Sequence, residues 1–221
     1  LVRFSIGGGI GISATSNDFD QDVPFELYAE QGSISGPVSV SRGPRFDVSG
    51  GLRIWRRFGA GATLTRFQSS GDMHAVFQFP HPFLFGAARE AVGDTSATRT
   101  ATDLHISGLI GLVYGPRWRV VAYAGPTLTW LNQELGYDRF SYTYVLPFNE
   151  ATLYTKDGSA SSGDGLGGHA GVTITRVMGR RWGIVGDVRG SSTKATLDAL
   201  GTPVQLQTGG FQASAGVRVH F

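Results

Sequence analysis

The last eleven residues of the chain, Phe211-Gln212-Ala213-Ser214-Ala215-Gly216-Val217-Arg218-Val219-His220-Phe221, decide how the rest is read. Odd positions carry Phe, Ala, Ala, Val, Val and Phe; even positions carry Gln, Ser, Gly, Arg and His. Side chains on an extended backbone point alternately to opposite faces. The segment is therefore a strand with one wholly apolar face and one polar face. About 9–11 residues suffice for a tilted strand to cross a bilayer, and this segment has that length.

The same alternation recurs upstream. Val2, Phe4, Ile6, Gly8, Ile10 and Ile12 alternate with Arg3, Ser5, Gly7, Gly9 and Gly11. Phe46, Val48, Gly50, Leu52 and Ile54 alternate with Arg45, Asp47, Ser49, Gly51 and Arg53. Phe58, Ala60, Ala62 and Leu64 face away from Gly59, Gly61, Thr63 and Thr65, and Leu104, Ile106, Gly108 and Ile110 away from Asp103, His105, Ser107 and Leu109. Trp118 to Trp130, Ala170 to Ile174 and Trp182 to Val188 complete eight strands. Pro126 cannot donate a ladder hydrogen bond, which predicts a bulge or local break there.

Composition agrees. Charged residues are 16% and hydrophobic residues 41% of the 221, Gly numbers 33, and mean hydropathy is −0.04. No run approaches the length of apolar residues that a spanning helix needs. Alternating lipid-facing and interior residues cancel in any average, which explains a membrane protein with so bland a mean. There is no Cys, so disulfides and thiolate metal sites are excluded. The 19 Lys and Arg are scattered against 17 acids, which argues against nucleic acid as a partner. No signal-like segment opens the chain at Leu1, and the expectation is that any export signal has been removed.

The connections sort by length. Trp55-Arg56-Arg57-Phe58, Tyr114-Gly115-Pro116-Arg117-Trp118 and Met178-Gly179-Arg180-Arg181-Trp182 are short, and each sets Arg beside aromatics, as a turn at a membrane interface requires. The stretches 16–44, 68–101 and 134–166 are long, with a shorter one near 198–208. Short turns at one rim and long loops at the other are the asymmetry of outer-membrane barrels. The expected fold is all-β: residues 1–221 as one domain, an eight-stranded antiparallel up-and-down transmembrane β-barrel with short periplasmic turns and long extracellular loops.

The chain resembles the eight-stranded bacterial outer-membrane barrel superfamily, which includes OmpA-like, OmpX-like and OmpW-like barrels. The most specific element is its end, where Ser214, Gly216, Val219 and Phe221 occupy the positions of the assembly signal of that class. The resemblance implies an integral protein of the Gram-negative outer membrane, with the barrel-assembly machinery as partner during biogenesis and lipids and lipopolysaccharide as surroundings. No subfamily motif stands out, and an appended peptidoglycan-binding domain is not expected.

Inside, the wall of Ser5, Gly7, Gly9, Gly11, Gly51, Gly59 and Gly61 leaves space for water or for long side chains, among them Tyr123 and several Arg, leaning across. Arg3, Arg53, Arg119, Asp187, Arg189, Arg218 and His220 form the expected lumen charge network. Arg45, Asp47, Asp103 and His105 are expected nearer the loop rim. Buried charges must be paired or solvated, so the Arg-rich low end is expected to hold water or anions.

In the second long stretch, Phe77, Phe79, Phe83 and Phe85 are the candidate partner-binding loop, because so many exposed Phe are costly in water. The alternative is that these segments, and Phe140, Tyr142, Tyr144, Leu146, Phe148 and Tyr154 in the third, extend the strands and pack together. Residues 157–163 read as flexible. Catalytic signals are thin. His105-Ile106-Ser107 matches a His-x-Ser pair of some lipid A-modifying barrels, yet alternation turns it into the lumen. His74 and His81 lack a third ligand nearby. The expected function is a non-enzymatic envelope scaffold, without cofactor or metal, whose outer loops bind a protein. The alternative is a small pore for small or hydrophobic solutes of the OmpW-like type, and the remote one a lipid A-modifying enzyme.

Overall fold

The computed structural model describes residues 4–13, 17–40, 43–134, 140–145, 150–155, 160–199 and 202–221. Every described element is a strand: β1 (Phe4–Ser13), β2 (Asn17–Leu27), β3 (Glu30–Val40), β4 (Pro44–Trp55), β5 (Phe58–Pro80), β6 (Ala88–Tyr114), β7 (Trp118–Glu134), β8 (Phe140–Val145), β9 (Glu150–Thr155), β10 (Ala160–Val177), β11 (Trp182–Ala199) and β12 (Thr202–His220). Eight of them, β1, β4, β5, β6, β7, β10, β11 and β12, pair antiparallel with their neighbours in that order, and β12 returns to β1. Closure leaves no free edge at the height of β1, where β12 pairs with it from Gln212 to His220. At the seam Phe221 N–H donates to Phe4 O at 2.9 Å, and the two rings lie 6.0 Å apart.

The outer face is apolar by exposure as well as by sequence. Ile6, Ile10, Val48, Ile106, Ile174, Ile184 and Val217 are all exposed, and Trp55, Phe58, Tyr114, Trp118 and Trp182 ring the short-turn end. This is the lipid-facing band with its interfacial aromatic girdle. Arg56 lies over Trp55 at 5.2 Å and Arg176 over Trp118 at 5.6 Å, so cations cover the girdle on its headgroup side.

The long stretches depart from expectation. Residues 68–101 are mostly strand rather than loop: β5 and β6 stay paired without a register shift from Phe58↔Ile110 to Pro80↔Ala88. Residues 17–40 form the hairpin β2–β3, and β8–β9 is a separate two-stranded sheet. Within 157–163, the segment from Ala160 opens β10, paired against Glu134 to Leu131, so it is not a flexible tail there; 157–159 lie outside the described residues. Leu146 and Phe148 also lie outside them.

The physical reason is an inversion of the pattern. Within the band, strands are apolar outward and polar inward. Beyond it the phase continues with the polarity exchanged. Ala195 and Leu197 are fully buried, whereas Lys194 and Thr196 are exposed; Leu206 is buried between exposed Gln205 and Gln207. Above the lipid, water surrounds the sheet and an apolar interior becomes favourable. Ala101, Leu131, Ala195, Leu197 and Leu206, with Phe67 against them, form that interior.

Pro126 keeps its register against Gly168 of β10. Toward β6 the ladder lapses between His105↔Thr127 and Gly108↔Ala124 without a shift. The expected break is therefore a gap in pairing on one side and not a bulge. Bulges occur instead at Arg53/Trp55 and Gly111/Val113, both near the short-turn rim.

Candidate functional site

The ring encloses a lumen whose described side chains fall into layers. The middle layer is ionic. Arg45 contacts Asp47 through Nε at 2.9 Å and through its terminal nitrogen at 2.8 Å, and also donates to Gln212 Oε1. Thr65 donates to Asp47 Oδ1 at 2.7 Å. From the opposite wall Arg189 reaches Asp47 at 3.6 Å and Asp187 at 3.5 Å. Asp187 accepts from Tyr123 at 2.6 Å and from Thr173 at 2.9 Å. This belt joins β4, β5, β7, β10, β11 and β12 across the barrel. Arg45 is 1%, Asp47 8% and Arg189 3% exposed, so their charges are neutralised by one another rather than by bulk water.

The charge network expected from sequence is corrected in two respects. Asp187 and Arg189 do belong to a network, but their partners are Arg45 and Asp47, which alternation had placed nearer the loop rim. Arg218 lies within electrostatic reach of Asp187 but forms no ion pair with it, and Arg53, Arg119 and His220 do not join the belt. All four line a separate cavity of about 320 Å³ between the belt and the short-turn rim, together with Ser5, Gly9 and Gly51. Arg3 lies outside the described residues. The glycine wall has the expected consequence with a different occupant: a Cβ on Gly51 or Gly61 would meet Leu109 at 3.4 and 3.3 Å, and one on Gly7 would meet Arg218 Nε at 3.4 Å. Tyr123 instead packs on Gly171, where a Cβ would lie 2.6 Å from its hydroxyl.

Alongside the belt sits a buried hydrogen-bonded cluster. Ser107 Oγ and His169 Nε2 are 2.8 Å apart, His169 Nδ1 and Thr127 Oγ1 2.9 Å, and Thr127 Oγ1 and His105 Nδ1 2.8 Å. The His-x-Ser pair of the sequence is thus taken apart: His105 turns to Thr127, and the partner of Ser107 is His169 from β10. His169 was legible as inward-facing, but only ring closure sets it against Ser107. A Ser–His pair at this distance meets the geometric condition for an activated hydroxyl. The place of an orienting carboxylate is taken by Thr127, while Asp103 accepts from Thr129 at 2.7 Å.

On the outer side, Phe77 and Phe79 are 4% and 1% exposed and stack with centroids 5.7 Å apart. They are interior residues of the β5–β6 extension and are not available to a partner, contrary to the sequence reading. Phe83, Leu84 and Phe85 at its tip are 73%, 58% and 88% exposed. The tip is built: His81 Nδ1 accepts from the N–H groups of Phe83 and Leu84, both at 3.1 Å, and Gly86 N–H donates to Glu30 of the neighbouring hairpin at 2.9 Å. His81 is thereby committed to a turn, and His74 pairs with Asp94. The assembly-signal residues take alternate faces, Ser214 and Gly216 inward, Val219 and Phe221 outward.

No protein-family model matches the chain, and no curated protein matches it. Among solved structures it is similar to the outer membrane protein OprG from Pseudomonas aeruginosa, at 12% identity over 100% of this chain and 96% of that one, with a TM-score of 0.58. It is also similar to the outer membrane protease OmpT from Escherichia coli, at 11% identity over 99% and 97% of the two chains, TM-score 0.50. Neisserial surface protein A follows at 13% identity, 99% and 95% coverage and TM-score 0.45. At such identities the likeness is one of fold. The chain has the fold of an outer-membrane β-barrel.

Proposed function

We propose that this barrel is a non-enzymatic envelope scaffold, shut along its axis, that presents a stiff β-extension to a protein partner outside the cell. The observation that carries the reading is the pair of stacked closures. The Arg45–Asp47–Arg189–Asp187 belt crosses the lumen, and the apolar layer around Leu131 and Leu197 fills it above. Ions face a desolvation cost at the apolar layer and find the belt's charges already paired. Planar-bilayer recording of the purified barrel is expected to show no conductance steps; steady steps in the wild type would overturn the reading. Ser107→Ala is expected to leave lipid A composition unchanged by mass analysis, because the Ser107–His169 pair faces the lumen, away from lipid.

A second reading rests on the wall itself. β1 pairs with β12 only as far as Ser13↔Gln212, and among the described residues the edge of β12 from Thr202 to Phe211 has no strand beside it on that flank. An apolar solute that entered the outer half would meet the apolar layer and this unpaired flank without crossing the belt. Faster uptake of an apolar dye by liposomes containing the protein, with no swelling in small sugars, would favour that route over the scaffold.

A further inference from the structure

We propose that the cavity below the belt is a binding site for a phosphate-type oxyanion, held by Arg53, Arg119 and Arg218 with His220. The first ground is charge. The two acids that line the cavity, Asp47 and Asp187, are ion-paired with Arg45 and Arg189, although the second carboxylate oxygen of each has no hydrogen-bond donor. Among the described residues Arg53, Arg119 and Arg218 form no ion pair, and only Arg218 lies within electrostatic reach of an acid, Asp187, so three half-buried guanidinium groups share the cavity with little opposing charge. Buried charge of one sign demands a counter-charge or water.

The second ground is an imidazole. His220 is only 7% exposed, lines the same cavity, and neither ring nitrogen has a hydrogen-bond partner. It lies within electrostatic reach of both Arg119 and Arg218. A donor so deeply buried is expected to be satisfied, and an anion between it and the two arginines would satisfy all three.

Shape supplies the third ground. Arg218 passes beside Gly7, where a Cβ would sit 3.4 Å from its Nε, and Arg53 is steadied at the mouth over the Tyr114 ring at 5.7 Å. A volume of about 320 Å³ exceeds what a single phosphate group fills, so an ester carrying it also fits. Planar guanidinium forks match tetrahedral oxyanions in geometry. The cavity reaches the turn residue Gly115 at the short-turn rim, and the belt closes its other end. The site is therefore a blind vestibule loaded from the periplasmic side. Both free phosphate and the headgroup of a phospholipid of the facing leaflet are within its reach.

Calorimetric titration of inorganic phosphate into the barrel, held in a neutral maltoside detergent at low salt, tests this. Saturable binding that weakens with added salt is expected. Arg119→Gln and Arg218→Gln should each weaken it about tenfold or more, and Arg180→Gln, on an exposed turn outside the cavity, should leave it unchanged. A parallel titration with short-chain phosphatidylglycerol separates the sources: binding of the lipid alone assigns a headgroup, binding of both assigns a free anion. Should the Arg variants fail the heat-shift test for folding, a tungstate-soaked crystal of the wild type decides instead, with its anomalous peak expected beside Arg119, Arg218 and His220. No saturable binding of either ligand, equal loss in Arg180→Gln, or a tungstate peak elsewhere would overturn the site.

Discussion

Asp47 holds three partners at once: Arg45, Thr65 and, across the lumen, Arg189. Removing one member of a buried charge network leaves its partners uncompensated, and the loss is typically about 3–5 kcal/mol. Asp47→Ala is expected to lose stability on that scale in urea unfolding followed by Trp fluorescence, whereas Thr65→Val should lose about 1 kcal/mol. Backbone strain offers a change of opposite sign. The two-residue turn of β2–β3 places Tyr28 at φ 56° and Ala29 at φ 60°, a conformation that favours Gly or Asn. Ala29→Gly should therefore stabilise the hairpin by about 1 kcal/mol, read as increased amide protection near the turn. Gly209 and Gly210, at φ 111° and 116°, sit where β12 leaves β1, and no comparable gain is available there because the residues already fit.

At the scale of elements, β5 and β6 are the longest strands, 23 and 27 residues, and roughly their outer halves stand beyond the lipid band. Their tip is exposed, apolar and hydrogen-bonded, whereas Phe77 and Phe79 serve the interior of the extension. Phe83→Ser with Phe85→Ser is expected to abolish crosslinking from a photoreactive residue at position 84 to an outside protein, while heat-modifiable folding of the barrel stays unchanged. Phe79→Ser should instead disorder the extension, visible as lost amide protection along residues 74–94. Pro126 faces lipid at the lapse in the β6–β7 ladder. Pro126→Val restores an N–H that can donate to the Ile106 carbonyl and should raise unfolding free energy by about 1 kcal/mol, with slow exchange of the new amide at position 126 as the confirming signal.

At the scale of the molecule, closure depends on a seam that joins the two ends of the ring, Phe4 to Phe221. Phe221 is exposed on the lipid-facing side beside the Phe4 ring and belongs to the segment that resembles an assembly signal. Phe221→Ala is expected to lower the fraction of heat-modifiable barrel recovered from cells several-fold, with a smaller effect on refolding of the purified chain into detergent. A comparable loss in both would point to a role in closure alone. The lumen of the same ring is divided into an apolar outer layer, a paired ionic belt and an unpaired cationic vestibule, and each divides the barrel axis at a different height along the strands.

Much of this was written in the order of residues. Period-two alternation, the aromatic and Arg turns and the terminal Phe determined a closed transmembrane sheet, because lipid on one side and a polar lumen on the other leave no other arrangement for such strands. The same rule misread 68–101, since alternation continues beyond the bilayer with its polarity exchanged once water replaces lipid, while Gly and Ser composition hid the start of β10 at Ala160. Which charges meet was decided only by closure. Asp47 and Arg189 are far apart along the chain, and strand tilt and register, not sequence spacing, bring them to 3.6 Å, while Arg53, Arg119 and Arg218 form no ion pair among the described residues. His169 reaches Ser107 for the same reason. Alternation tells each side chain which face it occupies; the geometry of the closed ring alone tells it whom it faces.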